Sequence, residues 1–262
     1  MSDILISEVD GAIATLTLNR PAERNAISDE LREELRSELE RVSRIPEVRV
    51  VILTGAGKSF CAGGDVKSMR ERLAAQAGEI GLEGWRRQRR TGALASTLHS
   101  LDQITIAAVN GHAVGLGLDL ALACDFIVAA PQAVFAASFV NRGLVPDGGG
   151  MYYLPRRIGL QKTKDLIFSG RTVDSDEAAR IGLVDVIAED GKLLEDAREY
   201  ASRFTGQPRG AIMLMKSIVD RSFELSLESV AALGAEAQAI AYQTDDHRAS
   251  VEAFLAPRPP AE

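Results

Sequence analysis

Cysteine, histidine and aromatic side chains are scarce in this chain of 262 residues, and each shortage removes a class of protein. Two cysteines, Cys61 and Cys124, cannot build a disulfide framework, and neither stands at metal-ligand spacing from any of the three histidines, His99, His112 and His247. No metal site is expected, and a reducing cytoplasm is the natural compartment. Long apolar runs are also missing. The most apolar stretch, Ala113 to Cys124, is too short to span a bilayer and is interrupted by Asp119. The opening residues, MSDILISEVDG, carry acids where a signal peptide carries a basic region, so neither export nor membrane anchoring is expected. Basic charge is in deficit: 30 Lys and Arg against 37 Asp and Glu give a net charge of -7, which disfavours nucleic acid and anionic lipid as partners. Proline clusters only at Pro257 to Pro260, where it reads as a frayed tail.

What is present is the balance of an ordinary globular protein, with 46% hydrophobic and 26% charged residues. Ala14, Leu16 and Leu18 alternate with Thr15 and Thr17, which predicts a strand with one buried face. A helix follows: Ser28 is a good cap, Asp29 and Glu30 suit its first turn, and Leu31, Leu35, Leu39 and Val42 recur at helical spacing before Pro46. Val48 to Thr54, Ile104 to Val109 and Phe126 to Ala129 read as further strands, with a helix starting near Gly115 and carrying Leu118 to Ala123. Strands alternating with helices predict an α/β class. Asp174 to Glu177 looks like a capping box ahead of Ala178 to Ile181, followed by a strand from Leu183 to Ile187. Helices then dominate, over Lys192 to Phe204, Gly210 to Arg221, Leu225 to Tyr242 and Asp246 to Leu255. The division predicted is a core over 1–190 and a helical segment over 191–262.

Four stretches carry candidate chemistry. Thr54 to Asp65 contains Gly57-Lys58-Ser59, but a P-loop needs a glycine where Ile52 stands. What remains is Ala62-Gly63-Gly64-Asp65, where small residues let a ligand approach the backbone and leave an N–H free to donate, or which is a plain glycine-rich turn. Asn110 to Asp125 is not a dinucleotide fingerprint, because Leu120 takes the place of the third glycine. Gly115 and Gly117 do put a tight turn at a helix start, where free N–H groups and the helix dipole stabilise an oxyanion. Asp119, among apolar neighbours, is either an acid of raised pKa suited to proton transfer or an ordinary first-turn acid. In Phe135 to Gly150, Pro146-Asp147-Gly148 is a turn sequence, and Asp147 read alone is a turn former. Trp85-Arg86-Arg87-Gln88-Arg89-Arg90 reads as a solvated helix face.

Taken in order, NRPAERNAIS from Asn19 to Ser28, FCAGGD from Phe60 to Asp65, AAVNGHAVGLG from Ala107 to Gly117, LPRRIG from Leu154 to Gly159, Ser169-Gly170-Arg171 and EAARIGLV from Glu177 to Val184 resemble the crotonase superfamily, the enoyl-CoA hydratases and isomerases. The resemblance covers nearly the whole chain, as far as Leu255. It implies a ββα spiral core with a helical C-terminal trimerisation segment, assembled as a homo-oligomer, a trimer or a dimer of trimers. It also implies an acyl-CoA thioester as substrate and no cofactor beyond the coenzyme A that the substrate carries. Carried over, the N–H groups of Gly64 and Leu116 would form the oxyanion hole, and Arg24, Ala26, Ala62, Gly63, Asp65 and Val66 would line the coenzyme, with Lys67 as a phosphate contact. Met69 to Thr97 matches the segment that shapes the acyl pocket.

Departures from the family pattern point to the reaction. Hydratases hold water between two glutamates; here the first position is Asp119 and the Pro-Glu pair is Ser138-Phe139. Asp147 matches the acid–base carboxylate of several isomerases. The resemblance therefore favours double-bond or ring isomerisation with Asp147 as the shuttling acid–base and Asp119 as a second acid. Alternatives are an enoyl-CoA hydratase, in which the two aspartates position a water, and a non-catalytic acyl-CoA binder. His112 reads as structural.

Overall fold

The computed structural model describes residues 4–65 and 77–256; Val66, Lys67 and the proline tail fall outside them. The chain divides into two compact units, Met1–Thr205 and Gly206–Glu262.

The first unit is built on a six-stranded sheet in the order β1 (Leu5–Asp10), β2 (Ile13–Leu18), β3 (Val50–Gly55), β4 (Ile104–Val109), β6 (Phe126–Ala129), β9 (Val186–Ile187). Only the β1–β2 hairpin is antiparallel; the remaining neighbours run parallel. A second, three-stranded sheet orders β5 (His112–Val114), β7 (Val134–Ala136) and β8 (Thr172–Asp174). The apolar run of β3 is buried at every position, as a parallel strand covered on both faces must be.

Local signals account for the helices nearest the sheet. The Ser28 hydroxyl accepts the Leu31 N–H at 3.2 Å and starts α1 (Asp29–Ser43), whose Leu31, Leu35, Leu39 and Val42 are all buried. Removing such a cap costs about 1 kcal/mol. The Asp174 carboxylate accepts the Glu177 N–H at 2.8 Å, so the helix begins at Ser175 and not at Ala178. Its end consumes part of the expected strand: the Leu183 and Val184 N–H groups turn back to the Ala178 carbonyl, leaving only Val186–Ile187 to pair with β6. The other helices of this unit are α2 (Ala77–His99), α3 (Leu116–Ala123), α4 (Gly150–Ile158), α5 (Leu160–Ser169), α6 (Ser175–Ile181) and α7 (Leu193–Thr205).

The boundary after residue 190 is corrected to one after Thr205. Ala197 and Ala201 of α7 are wholly buried and join Val50, Ile52, Ile106, Ala108 and Val128 in one apolar layer, so α7 covers a face of the main sheet. The same packing corrects the reading of β2: Arg198 of α7 donates to the Thr15 hydroxyl at 3.2 Å, and Thr15 is buried along with Leu16 and Leu18.

The second unit holds α8 (Arg209–Val219), α9 (Leu227–Ala241) and α10 (Asp245–Leu255). Ser226 caps α9 and Thr244 caps α10 through their hydroxyls. None of its described residues is buried, and Phe223, Leu227, Phe254 and Leu255 are among the most exposed apolar side chains.

Candidate active site

The two glycine loops singled out in the sequence lie side by side. The Cys61 N–H donates to the His112 carbonyl at 2.9 Å and the Val114 N–H donates to the Cys61 carbonyl at 3.0 Å, a parallel bridge between the loops. Glycine is required at two points of this junction. A Cβ at Gly117 would stand 2.1 Å from the Cys61 carbonyl oxygen; one at Gly63, whose φ is +100°, would stand 2.8 Å from the Val114 oxygen. Beside the junction, the N–H groups of Gly64 and Leu116 find no protein acceptor among the described residues. Leu116 is the first residue of α3, a helix buried along its whole length, so its N–H carries the positive end of the helix dipole with little water to screen it.

Asp119 and Asp147 are brought together, but on different sides of the wall. Asp147 lines the cavity beside the two loops; Asp119 does not, and is only 1% exposed. The Gly148 N–H donates to Asp119 Oδ2 at 2.9 Å, and the Gly150 N–H bonds the same carboxyl group. Asp119 therefore ties down the turn that carries Asp147 and the start of α4. Burial pushes the Asp119 carboxyl up to about 7, opposed by the two N–H bonds and assisted by the charge of Asp147. The sequence gives no signal for this division, because it depends on which face of α3 meets the glycine turn.

The segment expected to line the coenzyme is held by polar contacts. Arg24 and Asn25 both adopt positive φ, at 52° and 56°. The Ala62 N–H donates to the Arg24 carbonyl at 3.0 Å, and the Ile27 N–H to the Gly63 carbonyl at 2.8 Å. Asn25 is fully buried: its amide donates to the Ala56 and Ser59 carbonyls and accepts the Arg20 N–H. Arg20 donates to the Ala26 carbonyl and pairs with Asp65 at 2.9 Å. Arg24, Ala26 and Asp65 thus flank the first loop without lining the cavity, whereas Ala62, Gly63, Gly64, Leu116 and Asp147 all line it. Arg20 and Asn25, which the sequence reading passed over, are the residues that position this segment.

The cavity has a volume of about 340 Å³. The Phe139 ring lies over Gly115, 3.7 Å from where a Cβ would stand, and forms an apolar part of the wall. Arg87 and Gln88 also line it, so the basic cluster of α2 is divided: Arg86, Arg89 and Arg90 are exposed, with Arg89 over the Trp85 ring, while Arg87 turns inward. Helical spacing alone could not reveal that split. Among the described residues no three His, Cys, Asp or Glu side chains gather to hold a metal, and His112 contributes only its backbone to the loop junction.

Comparison with known proteins gives a consistent result. A family model described as Enoyl-CoA hydratase/isomerase matches residues 8–261. A short-chain-enoyl-CoA hydratase of Clostridium acetobutylicum is 34% identical over 97% of this chain and 95% of its own length. A 1,2-epoxyphenylacetyl-CoA isomerase of Escherichia coli is 33% identical over 99% and 98%. The crystal structure of an enoyl-CoA hydratase/isomerase from Cupriavidus metallidurans superposes with a TM-score of 0.90 at 35% identity, covering 98% of this chain and 95% of that one.

Proposed function

The chain belongs to the enoyl-CoA hydratase/isomerase family, and on that premise we propose that it is an acyl-CoA isomerase, shifting a double bond or rearranging a ring by proton transfer through Asp147. The observation that carries this reading is that Asp147 is the one carboxylate among the described residues lining the cavity. Phe139, at the position where hydratases carry an acid, neither donates nor accepts a proton, which supports one-carboxylate chemistry.

In this reading Asp147 takes a proton from C2 of a 3-enoyl-CoA. The charge moves to the thioester oxygen, where the N–H groups of Gly64 and Leu116 stabilise it, each donor being worth about 3 kcal/mol. Asp147 then returns the proton to C4, and the double bond moves from C3–C4 to C2–C3. Asp119 acts through Asp147 as a positioning residue, holding the Gly148 and Gly150 N–H groups. The coenzyme A of the substrate would rest on Arg24, Ala26, Ala62, Gly63 and Asp65, with Val66 and Lys67 in the same stretch, and the chemistry needs no other cofactor.

Hydration of a 2-enoyl-CoA is the second reading, favoured by the name of the Clostridium relative and by the charge coupling of Asp119 with Asp147. Purified wild type, Asp147→Asn and Asp119→Asn assayed on 3-enoyl-CoA and 2-enoyl-CoA separate the two. The isomerase reading expects Asp147→Asn to lose about 10² to 10⁴ in isomerisation kcat with acyl-CoA affinity unchanged. Full activity in Asp147→Asn, or wild-type hydration far faster than isomerisation, overturns it; binding without turnover marks a non-catalytic acyl-CoA protein.

Assembly into trimers or pairs of trimers belongs to the same proposal, supported by the exposed Phe223, Leu227, Phe254 and Leu255, and light scattering reads it as three or six chains of 28.1 kDa. A reducing, cytoplasmic setting is supported by two buried free thiols.

A further inference from the structure

Helix α2 presents Arg87 and Gln88, and Thr91 one turn later, to the cavity that holds Asp147; the turn after β7 adds Asn141 and Arg142. Such a wall is out of keeping with a plain hydrocarbon chain, which would strip guanidinium and amide groups of water without replacing their hydrogen bonds. Arg87 is the sharpest case. Its Nε is sealed from solvent and has no hydrogen-bond partner among the described residues. Buried donors are as a rule paired, so Arg87 is a guanidinium that the described protein surroundings leave incompletely satisfied while the residue itself lines the cavity. The charge distribution agrees: in a protein of net charge -7, the charged side chains lining this cavity among the described residues are two arginines and one aspartate, a local excess of positive charge.

We propose that the acyl group ends in a carboxylate, so that the substrate is the CoA thioester of a short dicarboxylic acid, its free carboxylate received by Arg87 with Arg142 and Asn141 beside it. The two Nη groups of a guanidinium form a planar fork that matches both oxygens of a carboxylate, whereas a methyl-ended chain offers it nothing. This rests on reading the cavity as the acyl-CoA site, and it identifies Arg87 as the residue that sets acyl specificity.

The test measures equilibrium binding of three unreactive ligands, glutaryl-CoA, valeryl-CoA and free CoA, to wild type and to Arg87→Gln. Glutaryl and valeryl have equal carbon counts and differ in the terminal carboxylate. Wild type is expected to bind glutaryl-CoA about tenfold to a hundredfold more tightly than valeryl-CoA. Arg87→Gln is expected to bring that ratio to about one while its affinities for valeryl-CoA and CoA stay at wild-type values. Arg87→Lys, which keeps the charge without the fork, should retain part of the preference. Equal or weaker wild-type binding of glutaryl-CoA overturns the proposal without any variant. So does a loss in Arg87→Gln that is equal for all three ligands, which would place the arginine on a coenzyme phosphate. Because none of the ligands reacts, failure of the isomerase assignment leaves the result intact; a protein that binds none of them overturns the reading of the cavity and this proposal together.

Discussion

Asp119 is almost completely buried, and its carboxyl group meets the N–H groups of Gly148 and Gly150 in place of water. Those donors favour the charged form, yet the loss of solvent outweighs them and raises the group from 3.8 to about 7. The linkage has a definite sign. In the unfolded chain the carboxyl ionises near its ordinary value, while the folded protein retains the proton up to about neutrality. The contribution to stability is therefore fully present below the unfolded pKa and is lost as pH rises through the folded one. Asp119→Asn cannot titrate, so the advantage of wild type over the variant in urea midpoint should shrink between about pH 4 and about pH 8. A gap that stays constant with pH would show that the group does not titrate as its surroundings require.

Elements, not single residues, bring the two loops together: β3 and β4 are neighbours in a parallel sheet, so the loops after them emerge at the same edge. The Cys61–Ala113 bridge then seals them, with Gly117 at the closest approach. Gly117→Ala forces a Cβ against the Cys61 carbonyl and must part the loops. Its kcat should fall by about 10² to 10³, as for loss of one oxyanion donor, while Gly84→Ala, in open space on α2, should leave kcat unchanged. Wild-type turnover in Gly117→Ala would show that the spacing of the two N–H groups is immaterial. The strands and helices with strong periodicity were readable in the sequence, as were the two glycine loops. β5, β7 and β8 were not, because three residues cannot establish a period of two. β1 was missed because Leu5 is its one fully buried residue. α4 was hidden by its internal Pro155 and glycine-rich entry. Arg87 was hidden by its neighbours: in a run of four arginines nothing local says which one a helix turns inward.

At the scale of the whole molecule, a net charge of -7 opposes an anionic coenzyme, so the proposed recognition of coenzyme A is local, through backbone N–H groups and Arg24, and the arginines of the cavity wall are left for the acyl end. Among the described residues no helix is long and apolar enough to cross a membrane. The central claim is that one carboxylate carries one proton between two carbons of a bound thioester. The most direct measurement is turnover of a 3-enoyl-CoA labelled with deuterium at C2, with the product analysed by mass spectrometry and NMR. Shuttling by Asp147 predicts a 2-enoyl-CoA in which part of the label taken from C2 is found at C4. A 3-hydroxyacyl-CoA as the main product, or a 2-enoyl-CoA with no label at C4 even at the earliest times, would contradict it.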